Sequence, residues 1–241
     1  MLAVIGGTGF GEFVGLESLE ELNVATPWGP AQVDQGTFEG EKVLFLARHG
    51  KPAKFPPHEI NYRANIFALG ELGASGVLAI NAVGGIAREL ELPELVFPDQ
   101  IIDYTWGRPH TFFDEQIHHI DFTFPFDAGL REQLTTAAHA VDRPITFRTE
   151  GVYGCTQGPR LETAAEIRRM AQDGCHVVGM TGMPEATLAR EIDVPYAGIS
   201  VVVNKAAGLD GQVVDLGGIE QVLDQGMQWV RDILARLVKL P

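Results

Sequence analysis

The chain has 241 residues, of which 45% are hydrophobic and 21% charged, and its formal net charge is −14 at pH 7. The 18 basic residues form no Lys/Arg cluster, which argues against a surface that binds nucleic acid or an anionic membrane. Two cysteines, Cys155 and Cys175, make no disulfide framework or metal pattern, and no apolar run is long enough to span a membrane, so we expect a cytoplasmic protein with reduced thiols.

Five short apolar runs predict strands that are buried on both faces of a sheet. In chain order they are residues 2–5, 43–47, 76–80, 176–180 and 197–203. Residues 27–40 and 106–126 are richer in turn-forming and aromatic residues, and we interpret them as hairpins or loops.

Helical patterns lie between several of these runs. Residues 61–72 have apolar side chains near helical spacing and Gly73 beyond them, and 162–173 end at Gly174. Pro184 is predicted in the first turn of a helix that continues through 186–191, and a long amphipathic helix begins at Ile219. The alternation of strands and helices, without a linker, predicts one α/β domain over residues 1–241.

A glycine-rich turn follows the first predicted strand. Its sequence is Gly6-Gly7-Thr8-Gly9-Phe10-Gly11, and its backbone N–H groups and the Thr8 hydroxyl could surround an anion. A dinucleotide-binding turn is the rival interpretation, but Glu12 stands where that fingerprint requires its third glycine. A tight turn of purely structural importance is a further alternative.

Polar residues follow three more of the predicted strands. Arg48 and His49 close the second strand, and an arginine there suits an oxyanion because its guanidinium offers a fork of donors. Asn81 opens a predicted turn over residues 81–85, and Thr181 follows the fourth strand. These residues predict a site at the carboxyl edge of the sheet, although a surface ion pair is the alternative for Arg48.

Asn204 and Glu162 are further candidates. Asn204 ends the last predicted strand with a neutral amide, which both donates and accepts hydrogen bonds, whereas an ionised carboxylate only accepts. Glu162 is predicted in the first turn of a helix, where the helix dipole favours an acidic residue even without a ligand. The histidines show no metal-ligand spacing, so we predict no metal site.

Six motifs together resemble the trimeric purine nucleoside phosphorylase and methylthioadenosine phosphorylase family, in order and spacing, from residue 2 to about residue 237. They are Gly6-Gly7-Thr8-Gly9, Arg48-His49-Gly50, Asn61-Tyr62-Arg63-Ala64-Asn65-Ile66, Asn81-Ala82-Val83-Gly84-Gly85, Gln157-Gly158-Pro159-Arg160 and Val178-Gly179-Met180-Thr181-Gly182-Met183-Pro184-Glu185. Within the family the chain is most similar to the bacterial 5′-methylthioinosine phosphorylase branch.

The resemblance implies a nucleoside phosphorylase fold, with a mixed central β-sheet flanked by helices, in a homotrimer with sites near the subunit interfaces. It implies phosphorolysis, in which phosphate attacks the anomeric carbon of a purine nucleoside as the purine leaves. Inorganic phosphate is then a co-substrate, and no cofactor is expected. By motif position, the phosphate contacts are Thr8, Arg48, His49, Ala82 and Thr181, and the catalytic residues are Asn204 and His49.

The resemblance also implies contacts to the nucleoside. Met180 would lie beneath the ribose, and Leu161 takes the place of the family's usual phenylalanine beside the base. His119 belongs to a segment that resembles the family's cross-subunit loop, so we expect it to complete the 5′ pocket of a neighbour. The remaining contacts implied are Glu162, Asn204, Lys205, Ala206, Ile219 and Leu223.

Three positions imply that the purine is a 6-oxopurine rather than adenine. Adenine-directed methylthioadenosine phosphorylases have aspartates at the positions of Asn204 and Ala206 and a serine at that of Glu162. N1 of hypoxanthine carries a hydrogen that the Glu162 carboxylate accepts. N1 of adenine is itself an acceptor, so it would face that carboxylate unpaired.

The 5′ substituent depends on the start of the last helix. Ile219 occupies the place of a histidine that binds the 5′-hydroxyl in related phosphorylases, and Leu223 extends an apolar wall one turn on. The predicted substrate is therefore S-methyl-5′-thioinosine. The alternatives are an inosine/guanosine phosphorylase or a methylthioadenosine phosphorylase and, outside the family, a dinucleotide-dependent oxidoreductase or epimerase, or a non-enzymatic nucleoside-binding module.

Overall fold

The computed structural model describes residues 1–211, 213–214 and 217–240, and within them eleven strands form a single sheet. The strands are β1 (Leu2–Gly6), β2 (Glu17–Val24), β3 (Ala31–Phe38), β4 (Glu41–Ala47), β5 (Gly76–Gly85), β6 (Glu94–Val96), β7 (Gln100–Asp103), β8 (Phe147–Arg148), β9 (Val152–Cys155), β10 (Val177–Gly179) and β11 (Tyr196–Lys205). The helices are α1 (Tyr62–Glu71), α2 (Ala128–His139), α3 (Ala164–Gln172), α4 (Gly182–Glu191) and α5 (Ile219–Leu237).

The sheet is mixed and branches at β5. Its strands follow the order β2-β3-β4-β1-β5-β10-β9-β7, while β11 also pairs with β5 and leads to β6 and β8. β1 is parallel to β4 and β5, and β11 is parallel to β5, whereas β10 is antiparallel to β5. The predicted α/β class with a mixed central sheet is confirmed.

Helices cover both faces of the sheet, and the central strands are apolar on both faces for that reason. Successive residues of β1 point to opposite faces, so Ala3 and Ile5 belong to one core cluster and Val4 to the other. Buried side chains of α1 and α4 complete the first cluster, and those of α2 and α5 complete the second. Helices packed on both faces hold the central strands in place, and these strands carry polar residues at their ends.

A fork in the sheet creates the space for a site. β5 pairs with β1 only as far as Ala79, and its pairing with β10 begins at Gly84. Residues 80–83 therefore lie between the diverging β1 and β10, while the other edge of β5 stays paired with β11. Polar groups at the end of β1, in the middle of β5 and at the end of β10 meet in this fork.

Most of the predicted elements are confirmed, with three corrections. The predicted turn at 81–85 is wrong: these residues continue β5, because β11 and then β10 satisfy their backbone groups. Glu162 lies before α3, which begins at Ala164 with Thr163 as its N-cap. Pro184 does not start a regular helical turn, because Met183 and Pro184 both have non-helical backbone angles within α4.

Candidate functional site

One cavity occupies the fork and brings together ten of the fourteen residues singled out from the sequence. They are Thr8, Arg48, His49, Ala82, Leu161, Glu162, Met180, Thr181, Asn204 and Ala206. The carboxyl ends of β1, β4 and β10, the middle of β5 and the end of β11 supply most of these side chains. The expected clustering at one edge of the sheet therefore holds for this set.

The turn after β1 forms one end of the cavity. Gly7 is packed so closely that a Cβ there would lie 2.6 Å from Nη1 of Arg48 and 2.9 Å from the carbonyl oxygen of Ile80. A side chain at position 7 would therefore displace the guanidinium. Thr8, the next residue, is exposed and lines the cavity.

Arg48 is held in this end by a buried ion pair. Its Nε donates to Oε1 of Glu185 at 2.5 Å and its Nη2 to Oε2 at 2.9 Å, while Nη1 donates to the carbonyl of Ile80 at 3.1 Å. Burial alone would lower the pKa of Arg48, but the charge and hydrogen bonds of Glu185 outweigh burial and raise that pKa above its ordinary value. Tyr196 also donates to Glu185, at 2.9 Å. Three of the five guanidinium N–H groups are thus engaged.

His49 lies beside Arg48 with its ring orientation fixed. Its Nδ1 lies 2.8 Å from the carbonyl oxygen of Phe55. Since a carbonyl only accepts, Nδ1 carries the hydrogen and Nε2 of the neutral ring is an acceptor. Burial lowers the pKa of His49, with a further contribution from the charge of Arg48. The imidazole is therefore neutral near pH 7.

β5 and the turn after β10 supply further residues of the cavity lining. The Thr181 hydroxyl donates to Oδ1 of Asn81 at 3.0 Å, and both residues are buried. Met180, next to Thr181, also lines the cavity. Asn81, a polar residue directly after a predicted strand, lines the cavity as expected, although the family resemblance assigned it no contact to a ligand.

A bulge in β11 directs Asn204 into the cavity. The register between β11 and β5 shifts between Val202, which pairs with Val83, and Asn204, which pairs with Gly84. The extra residue, Val203, lets two successive side chains, Val203 and Asn204, line the same space. Nδ2 of Asn204 donates one hydrogen to the carbonyl of Lys205 at 2.7 Å, which leaves one amide hydrogen and the amide oxygen for a ligand.

Glu162 lines the same cavity as Asn204. Its Oε1 accepts a hydrogen bond from the Thr156 hydroxyl at 2.6 Å, and Thr156 is in turn anchored by its own N–H to the carbonyl of Gly179 at 2.8 Å. Leu161 is 45% exposed and adds an apolar surface beside the carboxylate. The cavity lining therefore includes a carboxylate, an amide and an apolar side chain.

Four selected residues lie outside this cavity lining. One of them is Lys205, whose ammonium donates to the carbonyls of Arg88 and Leu90, and its contact to the nucleoside stays a prediction. Ile219 and Leu223 pack into the core cluster under α5, and Leu223 also lies against Gly9 of the glycine-rich turn. His119 is exposed.

The dinucleotide-binding interpretation of the glycine-rich turn is wrong. That fingerprint requires a helix directly after the turn, so that the helix N-terminus meets the pyrophosphate. Here the turn follows β1, and the next element is the strand β2.

Among the residues that the structure describes, no three His, Cys, Asp or Glu side chains are grouped so that they could hold a metal ion. No helix within the same residues is long and apolar enough to cross a membrane.

Comparison with known families and sequences gives consistent matches over nearly the whole chain. The family model described as the phosphorylase superfamily matches residues 1–239. A probable S-methyl-5′-thioinosine phosphorylase of Pseudomonas syringae pv. tomato is 48% identical, over 98% of this chain and 97% of the relative. A 6-oxopurine nucleoside phosphorylase of Pyrococcus furiosus is 42% identical, over 100% of this chain and 93% of the relative.

Solved structures match the same fold. A methylthioadenosine phosphorylase from an Antarctic soil metagenomic library has a TM-score of 0.92 and 31% identity, over 98% of this chain and 84% of that chain. The methylthioadenosine phosphorylase of Schistosoma mansoni, in complex with adenine, has a TM-score of 0.90 and 30% identity, over 98% of this chain and 90% of that chain.

Proposed function

This chain belongs to the phosphorylase superfamily, and from that premise we propose that it cleaves S-methyl-5′-thioinosine with phosphate, giving hypoxanthine and 5-methylthioribose 1-phosphate. One observation carries the proposal: a single cavity is lined both by an arginine, a histidine and two threonines, which suit phosphate, and by a carboxylate and an amide, which suit a purine. The enzyme is then a pentosyltransferase of the purine nucleoside phosphorylase type that serves purine salvage.

In the proposed reaction, a phosphate oxygen forms a bond to C1′ of the ribose as the bond from C1′ to N9 breaks. The purine leaves with the electron pair of that bond and takes up one proton. Positive charge develops on the sugar and negative charge on the purine in the transition state. Groups that favour this charge distribution more than that of the bound substrates accelerate the reaction.

Hydrogen phosphate fits the end of the cavity at Thr8, Arg48 and His49. Its one P–OH group would donate to Nε2 of His49, which is an acceptor because Nδ1 donates to Phe55. Its other oxygens would accept from the Thr8 hydroxyl and from the two Arg48 N–H groups that Glu185 and the Ile80 carbonyl leave free. The Thr181 hydroxyl, turned from Asn81, and the backbone of Ala82 complete the set.

The opposite end fits a 6-oxopurine. The Glu162 carboxylate would accept the hydrogen on N1, and its orientation is supported by the bond from Thr156. The free amide hydrogen of Asn204 would donate to N7 or O6, where negative charge accumulates as the purine leaves. Met180 would lie beneath the ribose and Leu161 beside the base, with Ala206 leaving space where adenine-directed relatives carry an aspartate.

The assignment of the methylthio group depends on apolar residues at the start of α5. Ile219 and Leu223 lie on one side of this helix, and Leu223 contacts the glycine-rich turn that we assign to phosphate. An apolar wall so close to that end would favour a thiomethyl over a hydroxyl group. An inosine/guanosine phosphorylase is the second candidate, supported by the 42% identity to the 6-oxopurine phosphorylase of Pyrococcus furiosus. A methylthioadenosine phosphorylase is the third.

We also propose a homotrimer. Trp106, Ile117 and Phe124, which belong to the long loop before α2, are 72%, 87% and 71% exposed. Large apolar side chains concentrated in one loop suggest a surface that another copy of the chain covers. His119 lies in the same loop, and we propose that it completes the 5′ pocket of a neighbouring subunit.

The proposed enzyme needs no cofactor or metal ion, because the chemistry rests on phosphate and on hydrogen-bonding side chains. We place it in the cytoplasm, where a reducing environment would preserve the two buried free cysteines, Cys155 and Cys175. We also infer one nucleoside phosphorylase domain over residues 1–241.

Phosphate dependence tests the reaction class. Methylthioinosine is incubated with the enzyme, with and without phosphate, and both products are identified by mass spectrometry. We expect hypoxanthine and a pentose 1-phosphate to appear together, and only with phosphate present. Equal release of hypoxanthine without phosphate, or release of the free sugar, would refute phosphorolysis.

A further inference from the structure

Arg108 is a buried cation that the proposed chemistry does not use. It lies in the long loop after β7, is 5% exposed, and contacts neutral acceptors. It donates through Nη1 to the carbonyls of Met180 at 2.8 Å and Met183 at 2.6 Å, and through Nη2 to those of Thr156 at 3.2 Å and Gln157 at 2.8 Å. Nε donates to Oε1 of Gln157 at 3.2 Å.

These bonds join segments that form different walls of the cavity. The first segment contains Thr156, whose hydroxyl donates to the Glu162 carboxylate at 2.6 Å. The second contains Met180, which lines the cavity next to Thr181. Both segments directly follow strands, Thr156 after β9 and Met180 after β10.

Through Tyr62, Arg108 is also connected to Pro57 in a third part of the cavity lining. Nη1 of Arg108 also lies 3.1 Å from the Tyr62 hydroxyl, which itself donates to the carbonyl of Pro57 at 2.7 Å. Pro57 is a cavity-lining residue. One guanidinium thus links the wall beside the base, the wall beneath the ribose and the wall that contains Pro57.

No carboxylate within the described residues lies within hydrogen-bonding distance of Arg108, so this side chain supplies hydrogen-bond donors rather than forming an ion pair. The number and geometry of its donors therefore matter more than its charge. Five N–H groups in one plane can reach carbonyls from two loops at once. A lysine has three donors on a single nitrogen and cannot span the same acceptors. Lysine at this position would leave backbone carbonyls of both loops unpaired.

We propose that Arg108 is a positioning residue that fixes the Glu162 carboxylate relative to the ribose-binding turn and thereby sets discrimination between 6-oxopurine and 6-aminopurine nucleosides. The proposal rests on the proposed function. Arg108 acts through the backbone at Thr156 and Gln157 and need not touch the substrate. A loosened carboxylate would accept the N1 hydrogen of hypoxanthine less well and would exclude adenine less strictly.

The test measures the ratio of kcat/KM for methylthioinosine to kcat/KM for methylthioadenosine. This ratio does not depend on how much of a preparation is folded, so a purely structural role would leave it unchanged. The matched control is Arg131→Lys, because Arg131 also donates to backbone carbonyls, those of Pro98 and Thr149, away from the cavity. We expect Arg108→Lys to lower the ratio about tenfold and Arg131→Lys to leave it within about twofold.

An Arg108→Lys enzyme with the wild-type ratio would overturn the proposal. If that variant cannot be purified, Gln157→Ala removes one acceptor of Arg108 and is expected to lower the ratio about threefold. An unchanged ratio in Gln157→Ala would also overturn the proposal. Should the wild type cleave neither nucleoside with phosphate, the proposed function itself fails. If the wild type prefers methylthioinosine and the Arg108 variant prefers it to the same extent, only the proposed role of Arg108 is refuted.

Discussion

At the base end of the cavity, Glu162 and Asn204 differ in what they can offer a purine. The carboxylate only accepts hydrogen bonds, whereas the amide both donates and accepts. The Thr156 hydroxyl donates to the Glu162 carboxylate, and the backbone carbonyl of Lys205 accepts one amide hydrogen of Asn204. The remaining carboxylate lone pairs match the hydrogen on N1 of hypoxanthine, and the remaining amide hydrogen matches its acceptors O6 and N7.

Glu162→Gln should reduce the preference for a 6-oxopurine. The amide keeps the shape of the side chain but accepts more weakly and can donate to N1 of adenine. We expect kcat/KM for methylthioinosine to fall by about 10- to 100-fold, with a smaller fall for methylthioadenosine. Steady-state kinetics on both substrates measure this, with Glu132→Gln on the exposed face of α2 as the control. A parallel fall for both nucleosides would mean that Glu162 does not recognise the base.

The depressed pKa of His49 predicts how stability depends on pH. Burial lowers the pKa of His49 in the folded state, so the unfolded chain, with an ordinary histidine pKa of about 6.5, binds the proton first as pH falls. The stabilisation is therefore complete above about pH 6.5 and is lost as pH falls through the lower folded-state pKa. In urea unfolding experiments, the wild type should lose more stability than His49→Gln between about pH 7.5 and 5.5. Equal losses would contradict the neutral, buried imidazole.

Site residues could be predicted from the sequence where they belong to a short motif at a strand end, as Thr8, His49 and Thr181 do. Arg108 could not, because its partners lie 46 to 75 positions away and are mostly backbone carbonyls. The orientation of the Lys205 side chain could not be predicted for a related reason, because its ammonium donates to carbonyls more than 110 positions away.

Among the elements, α4 and β4 are joined by the ion pair of Glu185 and Arg48. Glu185 is 1% and Arg48 2% exposed, and 137 positions separate them in the chain. The pair holds the guanidinium behind the glycine-rich turn, so the packing of α4 determines the geometry of the proposed phosphate site.

Glu185→Gln should therefore destabilise the protein strongly. It leaves a buried guanidinium without a countercharge, which costs about 3–5 kcal/mol. The free energy of unfolding from urea titration measures the effect. The double variant Arg48→Met with Glu185→Leu should recover much of that stability while remaining inactive, because both buried charges are then absent. A loss of less than about 1 kcal/mol in Glu185→Gln would contradict a structural role for the pair.

Elements with a strong apolar pattern could be predicted from the sequence, and elements without one could not. β1, β4, β5 and β11 are largely buried and have apolar runs in their sequences. β2 has an almost entirely exposed sequence, Glu17–Val24, and forms because β3 pairs with it at the edge of the sheet. The strands β6 to β9 have two to four residues each, which is too short for a periodic signal.

For the whole molecule, the exposed apolar side chains of the long loop before α2 favour assembly. Ile117 is 87% exposed, Trp106 72% and Phe124 71%. A chain with a net charge of −14 repels its own copies, so a stable oligomer needs a contact surface with a substantial apolar area.

Light scattering after size-exclusion chromatography should give about three times the mass of one chain. Ile117→Asp should lower that mass and raise KM for the nucleoside, because a charge in an apolar interface opposes association. Val14→Asp is the control, since Val14 is 65% exposed but lies outside the loop. His119→Ala should raise KM while the trimer persists. A fully active wild-type monomer would rule out a shared site.

The most direct test of the account compares kcat/KM for methylthioinosine, inosine and methylthioadenosine, each with saturating phosphate. Because Glu162 and Asn204 match a 6-oxopurine and Ile219 and Leu223 form an apolar wall, methylthioinosine should be the best substrate. Burial of a methylthio group is worth about 1–2 kcal/mol, which predicts a preference over inosine of roughly tenfold or more. Inosine as the best substrate would contradict the assigned 5′ group, and methylthioadenosine as the best substrate would contradict the assigned base.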